Sequence, residues 1–316
     1  MKNVEGKELN NMLKARDYMP AVKTYGAKWL AGDIDGMGYF GAGKIYYVSQ
    51  EGENTTGDSW TTAFTTLAAA ITANNADVLV NTKVINRIYV NGGNYNEALV
   101  AFPNHCEVVG TGIMSDGPRI TSTCTIANAP SISHWYNMQF RTATNAKVLD
   151  LGSTPQGVWF TNCTFTSVNG VTGTVGLEFG DNAYYNKVIG CTFFGNPSLT
   201  KGIVFAGPNS TSCEIRDNYI SAVTSGIEFT ASSTGSYSDY QCYIRENVIC
   251  RTDPNSSSQL AYGIAILDTQ SRTDLMSIHN YISAADAIYD AGTIKANNHI
   301  GNYTVQGGTQ ANATAS

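Results

Sequence analysis

Charge is scarce in this chain. Only 14% of its 316 residues are Asp, Glu, Lys or Arg, against about 25% in an ordinary globular domain. The net charge of −6 comes without any basic cluster, which argues against a nucleic-acid groove. No apolar run approaches the ~20 residues that a membrane span requires. The N-terminal stretch has no apolar signal-peptide core, so the chain is expected to be made and kept in a cytoplasm. Its seven cysteines are odd in number and irregularly spaced, which is no disulfide framework. They also lack the CxxC pairs of a structural zinc site. No metal, cofactor, nucleic-acid or membrane partner is predicted.

What the chain does have is repetition. One phrase recurs as Asn137-Met138-Gln139-Phe140, Asn162-Cys163-Thr164-Phe165, Gly190-Cys191-Thr192-Phe193 and Asp217-Asn218-Tyr219-Ile220. It continues as Glu246-Asn247-Val248-Ile249, His279-Asn280-Tyr281-Ile282 and Asn297-Asn298-His299-Ile300. A second phrase falls between these: Gly176-Leu177-Glu178-Phe179, Gly202-Ile203-Val204-Phe205, Gly226-Ile227-Glu228-Phe229 and Gly263-Ile264-Ala265-Ile266. Until a shorter last step the spacing is roughly 25 to 33 residues, within the range of solenoids and propellers. Apolar and polar residues alternate inside each phrase, the two-residue period of a strand with one buried face. Such short strands bury nothing alone, but stacked coils share one core.

A column of Cys163, Cys191, Asn218, Asn247, Asn280 and Asn298 precedes the aligned apolar residue by two and faces inward by alternation. Buried amides are costly unless bonded. Coils stacked about 4.8 Å apart allow each amide to bond the next, an asparagine ladder with a structural role. Cys163 and Cys191 then lie one coil apart, within reach of a disulfide, although buried thiols are the expectation for a cytoplasmic product.

On these phrases and this column the chain resembles the pectin lyase-like family. The resemblance implies an all-β fold, a right-handed parallel β-helix. The start of the solenoid carries it further. Gly43-Lys44-Ile45-Tyr46-Tyr47-Val48 is followed by Gly57-Asp58-Ser59-Trp60 and a capping helix predicted over Thr61–Ala73. Next come Ile88-Tyr89-Val90-Asn91-Gly92-Gly93-Asn94-Tyr95 and Val108-Val109-Gly110. This opening is most similar to phage-encoded β-helix proteins.

Three segments are expected: an arm over residues 1–43, the β-helix over 44–303 and a flexible tail over 304–316. The arm has a short predicted helix over Val4–Arg16, then recurrent glycine mixed with Trp29, Tyr39 and Phe40. It reads equally as an attachment arm, with those aromatics as its contacts, or as a cap on the first coil.

Catalysis finds few candidates. The best carboxylate pair is Glu178 and Glu228, both expected on the outer face without a neighbouring Asp, Arg or Lys to tune them. They stand two coils, about 10 Å, apart with Val204 between, beyond the ~5–5.5 and ~6.5–9.5 Å windows of glycosidases. Arg216 and Arg245, beside Asp217 and Glu246, are expected to form local ion pairs. The four histidines are scattered, and Tyr219 and Tyr281 offer an outer surface for sugar stacking or subunit packing.

The resemblance implies a non-enzymatic virion protein of a tailed phage, a capsid decoration or tail appendage made in the host cytoplasm. Its implied partners are other virion proteins through the arm, further copies in a homotrimer, and a host-surface glycan. The alternative is a polysaccharide depolymerase or lyase, with Glu178 and Glu228 as its carboxylates.

Overall fold

The computed structural model describes residues 41–313 except 81–83, 113–116, 145, 169–173, 196–198, 208–209, 231–241, 252–259, 268–271, 291–294 and 307–308. The arm with Trp29, Tyr39 and Phe40, and the helix expected over Val4–Arg16, lie outside the described residues.

The alternating phrases are strands, and each pairs with its counterpart one coil away rather than with its chain neighbour. The first sheet has ten strands in chain order: Gly41–Val48, Val84–Val90, Cys106–Gly110, Ser131–Tyr136, Gln156–Thr161, Lys187–Ile189, Cys213–Arg216, Cys242–Arg245, Arg272–Ile278 and Lys295–Ile300. The second sheet stacks Gly93–Tyr95, Pro118–Ile120, Gln139–Thr142, Thr164–Ser167, Thr192–Gly195, the start of Tyr219–Phe229, Val248–Cys250, Tyr281–Ile282 and Asn302–Gln306. The third contains Cys124–Thr125, Leu149–Asp150, Val175–Phe179, Leu199–Phe205, the end of Tyr219–Phe229, Leu260–Ile266 and Ala284–Asp290. Every pairing within these stacks is parallel, as at Phe165↔Phe193 and Ile227↔Ile264. The chain is an all-β parallel β-helix.

Inward residues of the three sheets form one continuous core. Because coils repeat in register, like residues stack on like. Phe140, Phe165 and Phe193 lie face to face with centroids 5.3 and 4.6 Å apart. Phe179, Phe205 and Phe229 do the same at 4.9 and 4.7 Å. Each such pair adds about 0.5–1.5 kcal/mol beyond the area it buries.

The capping helix is present but displaced, covering Leu67–Val80 instead of Thr61–Ala73. Thr66 Oγ1 accepts from the Ala69 amide at 3.3 Å. The Glu97 carboxylate accepts from the amides of Leu67 and Ala68, each at 2.8 Å. These groups satisfy the first-turn donors and place negative charge at the helix N-terminus. Residues before Thr66 bond elsewhere: Phe64 pairs backbone to backbone with Tyr47 and Ser49. Leu67, Ala70 and Ile71 close the core at its N-terminal end.

A two-residue corner joins the first sheet to the second. Its first residue is left-handed in successive coils: Asn137, Asn162, Gly190, Asp217, Glu246, His279 and Gly301, with φ between 52° and 62°. The next residue turns inward, and there the ladder forms. Asn218 Nδ2 donates to Asn247 Oδ1 at 2.9 Å, Asn247 Nδ2 to Asn280 Oδ1 at 2.8 Å and Asn280 Nδ2 to Asn302 Oδ1 at 2.8 Å. Each Nδ2 also donates to a carbonyl one coil back, namely Val188, Ile215, Ile244 and Ser277. The ladder's last member is therefore Asn302 and not Asn298. Asn298 lies in the preceding first-sheet strand, opposite Met276. The Asn-X-Ile spelling of 298–300 mimics the motif, but the left-handed corner comes only at Gly301.

Cys163 and Cys191 occupy the same column and imitate the amide. Their thiols donate to the Trp135 and Phe160 carbonyls at 3.5 Å, and Cys191 Sγ accepts from the Cys163 amide at 3.4 Å. All seven cysteines are free.

The C-terminal stretch differs from expectation. Asn302–Gln306 and Thr309–Ala313 form an antiparallel hairpin on the end of the second sheet, which pairs the edge that the last coil leaves open. Strand structure thus extends past residue 304, where a flexible tail was expected.

Candidate functional site

The inward residues of the three sheets pack into one continuous cluster, and the charged and exposed groups of the described residues lie on the outer faces. On the third sheet, Glu178, Val204 and Glu228 stand in register on successive coils. Neither glutamate is without a cation, contrary to expectation. Lys147 Nζ bridges Asp150 at 2.8 Å and Glu178 at 2.6 Å. Burial opposes the charge on Lys147, yet the hydrogen bonds it donates to Asp150 and Glu178 hold its pKa above the usual lysine value. Lys201 Nζ lies 2.6 Å from Glu228 Oε1, and Ser225 Oγ donates to Oε2 at 2.7 Å. Glu228 is also only 2% exposed, a buried salt-bridged carboxylate and not an open outer one. Both lysines fell outside the repeated phrases; Lys201, directly before Gly202, was the readable signal.

The first sheet carries a column of charges and rings. Arg87 pairs with Glu107, which is nearly buried. His134 stacks on Trp159 at 4.0 Å, and Lys187, from the next coil, lies over the same Trp159 ring at 4.6 Å. Burial, and then the Lys187 charge, push the His134 pKa down to about 3, so the ring is neutral at pH 7. Glu214 meets Arg245 at 3.0 Å, Arg216 at 3.1 Å and Lys187 at 3.5 Å. Arg216 also pairs with Asp217 and Arg245 with Glu246. Burial works against Glu214, but Arg245, Lys187 and Arg216 hold its carboxyl below the usual range. An arginine held by two carboxylates is a poor general base.

The outer face of the second sheet is more open. Its central register runs Arg119, Gln139, Thr164, Thr192, Tyr219, Val248, Tyr281 and Tyr303. The last four are exposed, forming an apolar strip along the C-terminal coils. Beside Gln139 lie two grooves, one of about 500 Å³ over the corner at Asn137 and Asn162, the other of about 430 Å³ reaching Arg141 and Phe194.

Burial raises the thiol pKa of Cys106, Cys191 and Cys213, and lifts Cys124 to about 11. Such thiols are packing groups and not nucleophiles. Among the described residues, no group of three His, Cys, Asp or Glu is placed to hold a metal, and no helix is long and apolar enough to cross a membrane.

No family model, curated protein or solved structure matches the chain. The class is set by its architecture, a parallel β-helix with an asparagine ladder.

Proposed function

We propose that the chain is a non-enzymatic structural protein of a tailed-phage virion, a capsid decoration or tail appendage anchored by residues 1–43. The observation that carries the non-catalytic part is the third-sheet column. Glu178 and Glu228 are each engaged by a lysine and separated by Val204. Neither arrangement leaves a carboxylate pair flanking a space for a sugar bond. The virion assignment is supported by the resemblance of the Tyr46-Tyr47-Val48-Ser49 and Gly57-Asp58-Ser59-Trp60 opening to phage-encoded β-helices. The exposed strip of Tyr219, Val248, Tyr281 and Tyr303 supports packing against further copies in a homotrimer.

Deleting residues 1–40 leaves every described strand in place, so the truncated protein should retain the β-rich circular dichroism spectrum of the full chain. It is expected to be missing from particles assembled in cells that carry only that version. Undiminished incorporation would show that the arm is not the anchor.

A further inference from the structure

The capping helix Leu67–Val80 turns an uncharged side to solvent. Ala68, Thr72, Ala76 and Val80 fall four apart along it and are exposed, with Leu79 beside Val80. Leu79 is 84% and Val80 89% exposed, more than any other large apolar side chain among the described residues. The opposite side, with Leu67, Ala70, Ile71 and Val78, is buried in the core. A helix that is apolar on both sides is ordinarily covered on both.

Asp77, the helix's one charged residue, fixes where the preceding chain leaves the solenoid. Lys44 pairs with Asp77. The Lys44 amide donates to Asn86 Oδ1 at 2.7 Å, and Asn86 Nδ2 donates to Asp77 Oδ2 at 3.0 Å. Gly43 lies so close to the next coil that a Cβ there would strike the Ile85 carbonyl and Asn86 Oδ1. Gly41 stands opposite Val84, four positions after Val80. At no more than about 3.6 Å per residue, Val80 is within about 14 Å of Val84. The first strand therefore begins beside the open end of the helix face.

We infer that the outer face of this helix is a docking surface for residues 29–40 of the same chain. Trp29, Leu30, Ile34, Met37, Tyr39 and Phe40 supply the apolar surface, and Asp33 and Asp35 are the only charges. Extended, this stretch spans about 40 Å, against about 21 Å for the 14-residue helix, so the whole face is in range. Joined at Gly41, it meets the face at the high effective concentration of a short tether. A second copy would have to offset the entropy of association instead. The docking does not rest on the particle assignment, and it leaves residues 1–28 to reach a partner.

The test is hydroxyl-radical footprinting of the full chain, read residue by residue by mass spectrometry. Val80 and Val100 are the same side chain, 89% and 66% exposed without the arm, so an open face would label Val80 at least as fast. Docking should instead slow Val80 at least about threefold relative to Val100, because a tethered contact is closed most of the time. That comparison needs no variant. Leu79→Lys with Val80→Lys changes only solvent-facing positions and suits the helix C-terminus. It should raise the labelling of Trp29, Tyr39 and Phe40 at least about threefold by releasing the tethered segment, with Trp60 unchanged. Val80 labelled as fast as Val100, or arm aromatics unmoved by the lysine pair, would overturn the assignment. Protection of Val80 that is lost on dilution would put a second copy on the face and overturn it equally.

Discussion

Replacing Asn247 by leucine is expected to destabilise the protein by about 2–6 kcal/mol, because it orphans two buried groups at about 1–3 kcal/mol each. Asn247 Oδ1 accepts from the Asn218 amide at 3.1 Å, and Nδ2 donates to the Ile215 carbonyl at 3.0 Å. Leucine supplies neither partner, and no water reaches a site where Asn247 is 1% exposed. The neighbouring amides retain other bonds: Asn218 Nδ2 still reaches Val188 O, and Asn280 Oδ1 still accepts from the backbone of residue 247. Cysteine is the informative comparison, since Cys163 and Cys191 already fill this column with a thiol that donates and accepts at 3.4–3.5 Å. Asn247→Cys should therefore cost less than half as much. Chemical denaturation of both variants checks the order; equal costs would mean that the volume of the side chain, and not its hydrogen bonds, sets stability.

The second large effect is expected at Lys201. Lys201→Met strands the Glu228 carboxylate, whose side chain is 3% exposed, with only Ser225 Oγ as a partner. Breaking a buried pair from one side costs about 3–5 kcal/mol. The double change Lys201→Met with Glu228→Leu removes both charges and should recover most of that loss, because well-packed apolar replacements of a buried pair are often neutral. A double variant as unstable as the single one would show that the loss arises from packing around residue 201. Glu228→Gln alone should be mild, since the lysine it leaves behind is 30% exposed and reaches water.

The solenoid is legible because its signal is repeated: of seven corners, six are followed three positions later by a buried Phe or Ile. Asn218, Asn247 and Asn280 could be placed for the same reason. The miss at Asn298 has a physical cause. The ladder is positioned by the left-handed residue before it, and Gly301 is a weaker marker in a glycine-rich chain than the Asn-His-Ile spelling that begins three residues earlier. The helix starts later than its local sequence predicts because its N-terminus is capped by Glu97, thirty positions away from Leu67, which no local pattern reveals. Lys147 and Lys201 are not legible as partners for a related reason: each meets its glutamate one coil away, 31 and 27 positions along the chain. Arg119 belongs to the central register of the second sheet through its pairing with Gln139. Its two-residue echo Arg119-Ile120 was too short to stand out.

The claim that this β-helix is structural and does not cut sugars is tested most directly by product analysis. Purified full-length protein is incubated with the surface polysaccharides of the cells that support the particle, and new reducing ends and unsaturated sugars are measured. Neither is expected to rise above a protein-free control, with or without the paired change Glu178→Gln and Glu228→Gln. Turnover by the unaltered protein that disappears in a folded double variant would contradict it and make the third-sheet glutamates catalytic.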